Sequence, residues 1–146
     1  MDRKGFIKSC GMACLGGSAM AVLLESCATG SYFAKSNNTQ NQIIIPKSEF
    51  ISFSKGKTND RKYVLVKHEK FSYPICIYKL DEENYSALLM QCTHKGCELK
   101  PQGNYLACPC HGSEFDNKGV VQNPPAEQNL QNFQTKADDK NVYINL

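Results

Sequence analysis

The sequence predicts an all-β fold, an antiparallel sandwich or small barrel, set behind a leader that is not part of it. Three observations carry that expectation. From Ile43 onward the chain breaks into short runs of β-branched, aromatic and aliphatic residues, at 43–45, 63–66, 75–78, 85–90 and 142–144, the residue types that suit a pleated, half-buried surface. Turn formers separate the runs, as in Ser54-Lys55-Gly56, Thr58-Asn59-Asp60, Asp81-Glu82-Glu83-Asn84 and Gln102-Gly103-Asn104, and many short strands at close spacing are the pattern of a sandwich or barrel. Nothing in this region keeps a helical period over three turns, repeats internally, or alternates strand with helix.

The remaining composition narrows the function. The chain has 146 residues, of which 41% are apolar, 21% charged and 10% aromatic, which excludes wholesale disorder, collagen and a multi-span membrane protein. Seventeen Lys and Arg against fourteen Asp and Glu leave a net charge of +3. With no basic block interleaved by aromatics, no nucleic-acid partner is expected. The unusual count is eight cysteines, with two of the three histidines inside the densest cysteine cluster. The chemistry is expected there.

Residues 1–26 have the organisation of a signal peptide: Arg3, Lys4 and Lys8, then an uncharged, Gly- and Ala-rich stretch from Cys10 to Leu24. A helix needs about 20 apolar residues to span a bilayer, and this stretch falls short of that. Leu24-Glu25-Ser26-Cys27 resembles the lipobox of bacterial lipoproteins, with Glu25 where a small residue is usual. The resemblance implies lipidation of Cys27 and a membrane-anchored place on the periplasmic side of a bacterial cell envelope, since two acyl chains anchor stably where one does not. Residues 2–8 also resemble the twin-arginine export motif, with Lys4 in place of the second arginine. The segment 27–42 is polar and amide-rich and is expected to be a flexible tether. The domain proper is then 43–146, close to the lower size at which a single core stands alone.

Two loops carry the candidate chemistry. Gln91-Cys92-Thr93-His94-Lys95-Gly96-Cys97 is followed after ten residues by Cys108-Pro109-Cys110-His111-Gly112-Ser113. Cys and His at such spacing suit a structural zinc site. They also suit an iron-sulfur centre in which two thiolates hold one iron and two imidazoles the other. Six candidate ligands are present where zinc takes four, so Cys97 and Cys110 need another explanation.

The two motifs together resemble the signature of the Rieske iron-sulfur family, in its disulfide-bearing, quinol-oxidising class. That resemblance implies a 2Fe-2S cluster on a subdomain of two loops. Cys92 and Cys108 would bind the inner iron and His94 and His111 the outer one, while Cys97 and Cys110 would form a disulfide, as suits an exported chain. Ser113 would donate its hydroxyl to a bridging sulfide, and Asn123-Pro124-Pro125-Ala126 resembles the proline loop that shields the cluster. Gly96 and Gly112 suit tight turns.

Replacing two thiolates by neutral imidazoles raises the potential to roughly −150 to +300 mV, and imidazoles with one free N–H can take a proton with the electron. No catalytic residue is expected outside the cluster, so the chain is an electron-transfer subunit rather than a catalyst on its own. The resemblance implies a subunit of a cytochrome bc-like complex, accepting one electron at a time from quinol, with cytochrome b- or c-type partners. The alternatives are the small subunit of another periplasmic oxidoreductase, such as a molybdenum enzyme resembling arsenite oxidase, or a free-standing carrier. Two departures bear on this: Lys95 stands where respiratory members carry Leu, and Phe115 stands in place of the family's tyrosine. A Rieske ferredoxin or oxygenase is disfavoured by the extra cysteines and the export signal, and a zinc-stabilised binding module is the non-redox alternative.

Other residues have plainer expectations. Cys76 is a core strand residue, Cys10 and Cys14 leave with the signal peptide, and Met90 packs beneath the first loop. His68 is a solvated turn residue, and 136–140 is a hairpin turn before a last strand from Asn141 to Asn145.

Overall fold

The computed structural model describes residues 30–146. The expected signal peptide and the lipidation site at Cys27 lie outside the described residues. The strands are β1 (Asn37–Asn38), β2 (Gln42–Pro46), β3 (Ile51–Ser54), β4 (Lys57–Asp60), β5 (Tyr63–Val66), β6 (Ile75–Lys79), β7 (Tyr85–Leu89), β8 (Lys100–Pro101), β9 (Tyr105–Ala107), β10 (Glu114–Asp116), β11 (Val121–Asn123), β12 (Asn132–Ala137) and β13 (Asn141–Asn145). A single 3-10 turn, Lys47–Phe50, interrupts them. The fold is all-β, as expected: a curled seven-stranded sheet in the order β1-β2-β13-β12-β7-β6-β5, a four-stranded sheet β11-β10-β9-β8, and the hairpin β3-β4.

Strands β6 and β7 are buried along nearly their whole length because both of their faces are covered. Side chains alternate across a strand, and here the alternation serves two cores. Ile75, Ile77, Ala87 and Leu89 join Ile43, Ile45, Val64, Val142 and Ile144 on one side. Cys76, Tyr78 and Leu88 join Met90, Cys92, Leu99, Leu106, Cys108 and Phe115 on the other. The four-stranded sheet that carries the second loop is thereby packed onto the main sheet through its own apolar core. Cys76 and Met90 take the core places expected of them.

Three expectations are corrected. The segment read as a tether is docked wherever it is described. Ala34 donates its amide to the Leu65 carbonyl at 2.8 Å, Leu65 donates to the Tyr32 carbonyl at 2.9 Å, and Asn37 and Asn38 pair with Ile44 and Ile43. The Tyr32 hydroxyl donates to Glu49 at 2.8 Å, and the Arg61 guanidinium lies 3.7 Å over the Tyr32 ring. Backbone pairing and one amphipathic ring hold this strap, and neither shows in a composition of amides. Thr58-Asn59-Asp60, read as a turn, lies in strand β4, paired with β3 in a largely exposed ladder from Ile51↔Asp60 to Ser54↔Lys57. His68 is buried rather than solvated: its Nε2–H donates to the Thr39 carbonyl at 2.9 Å and its Nδ1 accepts from the Lys70 amide at 3.2 Å.

Strand direction sets the two ends of the domain. Ile75 pairs with Leu89 and Val66 with Ile75, so the Leu89 end of β7, which feeds the first cysteine loop, is also the Val66 end of β5. Phe33 bridges Leu65 in parallel. Gly30 therefore enters at the Tyr63 end, away from the loop.

Candidate metal centre

The two cysteine loops share one backbone design. In the first, the Cys92 amide donates to the Cys97 carbonyl at 2.8 Å and the Gly96 amide to the Cys92 carbonyl at 2.8 Å. In the second, the Cys108 amide donates to the Ser113 carbonyl at 2.8 Å and the Gly112 amide to the Cys108 carbonyl at 3.0 Å. Each loop closes through a glycine in the left-handed region, with φ of +77° at Gly96 and +82° at Gly112, where a Cβ would cost about 1–2 kcal/mol. The glycines thus have the role expected from their placement.

A disulfide joins the loops through Cys97 and Cys110, with Cα atoms 6.5 Å apart. The Cys108 sulfur lies within 4.8 Å of both disulfide sulfurs. The bonded pair has no thiolate to offer, so those three sulfurs are not a ligand set, and of them Cys108 alone is buried. The free thiols of the site are Cys92 and Cys108, both buried. Burial pushes the Cys92 thiol up, whereas the amides of His94 and Lys95 donate to its sulfur and favour the thiolate. Cys108 is its side-chain neighbour.

The histidines stand together. Their ring centroids are 4.9 Å apart, with the rings nearly perpendicular. His111 is exposed, whereas His94 is half-buried with an Nδ1 that is shut off from solvent and has no hydrogen-bond partner. A buried imidazole nitrogen with no partner is costly unless something occupies it. Two buried thiols, amides aimed at one sulfur and an orphaned imidazole nitrogen fit a metal centre with mixed sulfur and nitrogen donors.

Residues 123–128 wall the site on a third side. Pro124 and Pro125 are joined by a cis peptide bond. The Ala126 amide donates to the Ser113 Oγ at 2.9 Å, and Ser113 is fully buried, which leaves its hydroxyl proton free to be donated elsewhere. Asn123 donates from Nδ2 to the Gly112 carbonyl at 3.0 Å, and Thr93 donates from Oγ1 to the Gln128 carbonyl at 2.6 Å. Sequence reasoning missed the hydrogen bonds of Thr93 and Asn123, because their partners are the backbone carbonyls of Gln128 and Gly112 on other loops. Beside His94 lies a groove of about 390 Å³, with polar and apolar surface in about equal measure, lined by Leu89, Gln91, Thr93, Lys95, Gln128 and Gln131 among others. Phe115 is fully buried in the core that holds Cys92 and Cys108.

An all-β domain that presents two buried thiols and two imidazoles on disulfide-joined loops defines a mixed-ligand metalloprotein. The chain belongs to the Rieske [2Fe-2S] domain family, whose model matches residues 45–134, and its cofactor is the cluster of that family. It is 44% identical over 55 residues to a ubiquinol-cytochrome c reductase iron-sulfur subunit of Rickettsia typhi, covering 36% of this chain and 31% of that protein. It is 33% identical over 114 residues to a cytochrome b6-f complex iron-sulfur subunit of Trichodesmium erythraeum, covering 70% of this chain and 56% of that one. The match thus spans between about a third and about half of the length of these curated relatives. Among solved structures it is similar to the cyanobacterial plasma membrane Rieske protein PetC3 from Synechocystis PCC 6803, with a TM-score of 0.50 and 27% identity, covering 57% of this chain and 85% of that one. The protein is a Rieske electron-transfer protein.

Proposed function

We propose that this protein is exported and anchored through a lipidated Cys27 on the periplasmic side of a bacterial membrane. There it accepts one electron at a time from quinol as a subunit of a cytochrome bc-like complex. Support comes from the names of its relatives, which are iron-sulfur subunits of ubiquinol-cytochrome c reductase and cytochrome b6-f complexes. Cys92 and Cys108 hold the inner iron and His94 and His111 the outer one, within a domain of residues 43–146. When bound, the cluster supplies a one-electron redox step at a high potential for its class, roughly −150 to +300 mV. The chain's own residues supply the setting. Cys92 and Cys108 are sealed from water beneath the disulfide, Ser113 offers a hydroxyl proton, and His111 opens to solvent, where a proton can be exchanged with a donor.

The single observation that carries this reading is the pairing of two buried free thiols with an orphaned imidazole nitrogen at His94. The test is a redox titration of the purified protein with EPR of the reduced state at several pH values. A rhombic signal and a midpoint that falls with rising pH near neutrality are expected. A colourless, EPR-silent protein containing zinc would overturn the cluster ligation, and a low, pH-independent midpoint would remove quinol oxidation.

A second reading is favoured by the exposed Lys95 in the groove beside His94. A quinol pocket is apolar, and desolvating an ammonium against it is costly. Gln91, Thr93, Lys95, Gln128 and Gln131 suit a hydrophilic protein surface instead. The protein is then the small subunit of a periplasmic molybdenum enzyme resembling arsenite oxidase, or a free-standing carrier. Co-purification separates the cases: a b-type haem protein supports the first, and a molybdopterin subunit or no partner the second.

A further inference from the structure

The domain has one end that the redox site does not use. Chain entry and hairpin β3-β4 meet there, and the hairpin tip carries Lys55 and Lys57. Gly30 shares a small cavity with Tyr32, Arg61, Lys62, Tyr63 and Gly103. The hairpin begins beside them, for the Arg61 amide donates to the Phe50 carbonyl at 2.6 Å and the Lys79 amide to the Lys62 carbonyl at 3.0 Å. His94 and His111 stand at the other end, beyond the Leu89 terminus of β7.

The hairpin is built to meet something other than water. Phe53 is 77% exposed and Ile51 is 49% exposed, the two most exposed large apolar side chains among the described residues. Two apart on β3, they lie on one face. Lys55 and Lys57 flank the tip, and residues 51–59 contain no acid. Along the sequence, charge is uneven as well. Residues 30–62 carry six Lys and Arg against Glu49 and Asp60, a surplus of four positive charges, whereas residues 63–146 carry eight against ten, a deficit of two. Asp60 is held by Lys79 at 3.8 Å. The acidic turns at 81–83 and 138–139 are at the same end. At the base of the hairpin, a groove of about 600 Å³ brings its Ile51 and Asp60 together with Glu82, Asp139, Lys47, Lys79 and Lys140, so a contact with an anionic surface is confined to the hairpin tip, at Phe53, Lys55 and Lys57.

We propose that this edge seats on an anionic phospholipid bilayer, with Phe53 at the lipid interface, and that the docked strap holds His94 and His111 away from the membrane, toward a water-soluble redox partner. The occupant follows from where the chain leads. Two residues separate Gly30 from Cys27, and the three steps between them reach at most about 10 Å, so an acyl anchor at Cys27 keeps the Tyr63 end against the headgroups. An aromatic side chain flanked by lysines is the composition that settles into that layer, about 5–10 Å deep. With the strap paired to β5, the domain has little free chain on which to turn over, and the histidines stand roughly 15 Å or more from the seated end, the length of a five-residue strand. This deepens the second functional reading and rests on the lipid-anchor reading.

The chain contains no tryptophan, so Phe53→Trp introduces a single fluorescent probe, and Glu127→Trp places the same probe beside the histidines for comparison. Each variant of the full protein is studied with vesicles of phosphatidylethanolamine and phosphatidylglycerol carrying brominated chains. The acyl mass on the N-terminal peptide is measured separately. F53W is expected to shift to the blue and lose about half or more of its emission, with a smaller effect after Lys55→Glu and Lys57→Glu, while E127W stays unquenched. Quenching of E127W with F53W unaffected overturns the proposal, because the histidine end then faces the membrane. An acylated protein in which neither probe is quenched overturns it while sparing the anchor. If no acyl mass is found, the anchor reading fails by itself, and C27S/F53W protein added to the same vesicles decides the hairpin: quenching upholds the contact, and unchanged emission overturns it.

Discussion

The Phe115 ring is fully buried in the core shared by Cys92 and Cys108, and it offers no hydrogen-bond donor to either sulfur. Hydrogen bonds to cluster sulfurs are among the determinants of potential in iron-sulfur proteins. A donor stabilises the more negative, reduced state. Phe115→Tyr is therefore expected to raise the midpoint. A hydrogen bond to a charged group is worth about 1.5–3 kcal/mol, and a one-electron couple moves about 59 mV per 1.4 kcal/mol, which sets an upper bound of about 130 mV. Redox titration of the variant checks it, and an unchanged midpoint refutes the role of the missing hydroxyl. Residues of this kind were legible in the sequence wherever identity alone implies the physics. Gly96 and Gly112 announce a positive φ, and Cys97 and Cys110 announce surplus sulfur. Thr93 was not legible, because its hydroxyl answers a carbonyl 35 residues away that no local pattern encodes.

Among elements, the β10-β11 connection shows how little space separates the two sheets. Gly119 has φ of +83°, and a Cβ there would stand 2.8 Å from Leu88 Cδ2 and 3.3 Å from Leu130 Cβ. Gly119→Ala is expected to cost about 2 kcal/mol or more, combining the left-handed penalty with overpacking, as read by urea denaturation. The last hairpin turns on Asp138, whose carboxylate accepts from the Tyr143 hydroxyl at 2.7 Å and from the amides of Asn141 at 2.7 Å and Lys140 at 2.8 Å. The Tyr143 hydrogen bond and then the two amides hold its carboxyl below the usual aspartate value. A folded-state value below the unfolded one gives stabilisation that is present above the unfolded value and lost as pH falls through the folded one. The difference in melting temperature between the wild type and Asp138→Ala is thus expected to shrink as pH falls below about 4, and a difference that stays constant refutes the assignment. That turn and β13 were readable because charged turn residues adjoin an alternating apolar strand. Hairpin β3-β4 was not, for a ladder exposed on both faces leaves no burial pattern to read. The strap hid for a related reason: its pairing to Leu65 is made by backbone, which amide-rich sequence neither advertises nor forbids.

At the scale of the whole molecule, the runs at 75–78 and 85–90 announced strands, yet nothing in them said that alternate side chains serve separate cores. Only the fold reveals that Leu88 faces Gly119 and the second core while its neighbours Ala87 and Leu89 face the first. The consequence is mechanical. Because β6 and β7 belong to both cores, neither the main sheet nor the cysteine-bearing sheet can lose its packing without exposing the other, and the metal centre sits on the shared wall through Cys92 and Cys108. Leu88 is fully buried, so Leu88→Ala is expected to cost about 2–5 kcal/mol, and to do so globally. Loss of visible absorbance, loss of far-ultraviolet circular dichroism and loss of amide protection in β6 and β7 should shift together to lower denaturant. Bleaching that precedes unfolding of the main sheet in the variant, with the sheet's own midpoint unmoved, would mean that the second core stabilises the metal subdomain alone and that the two sheets are independent units.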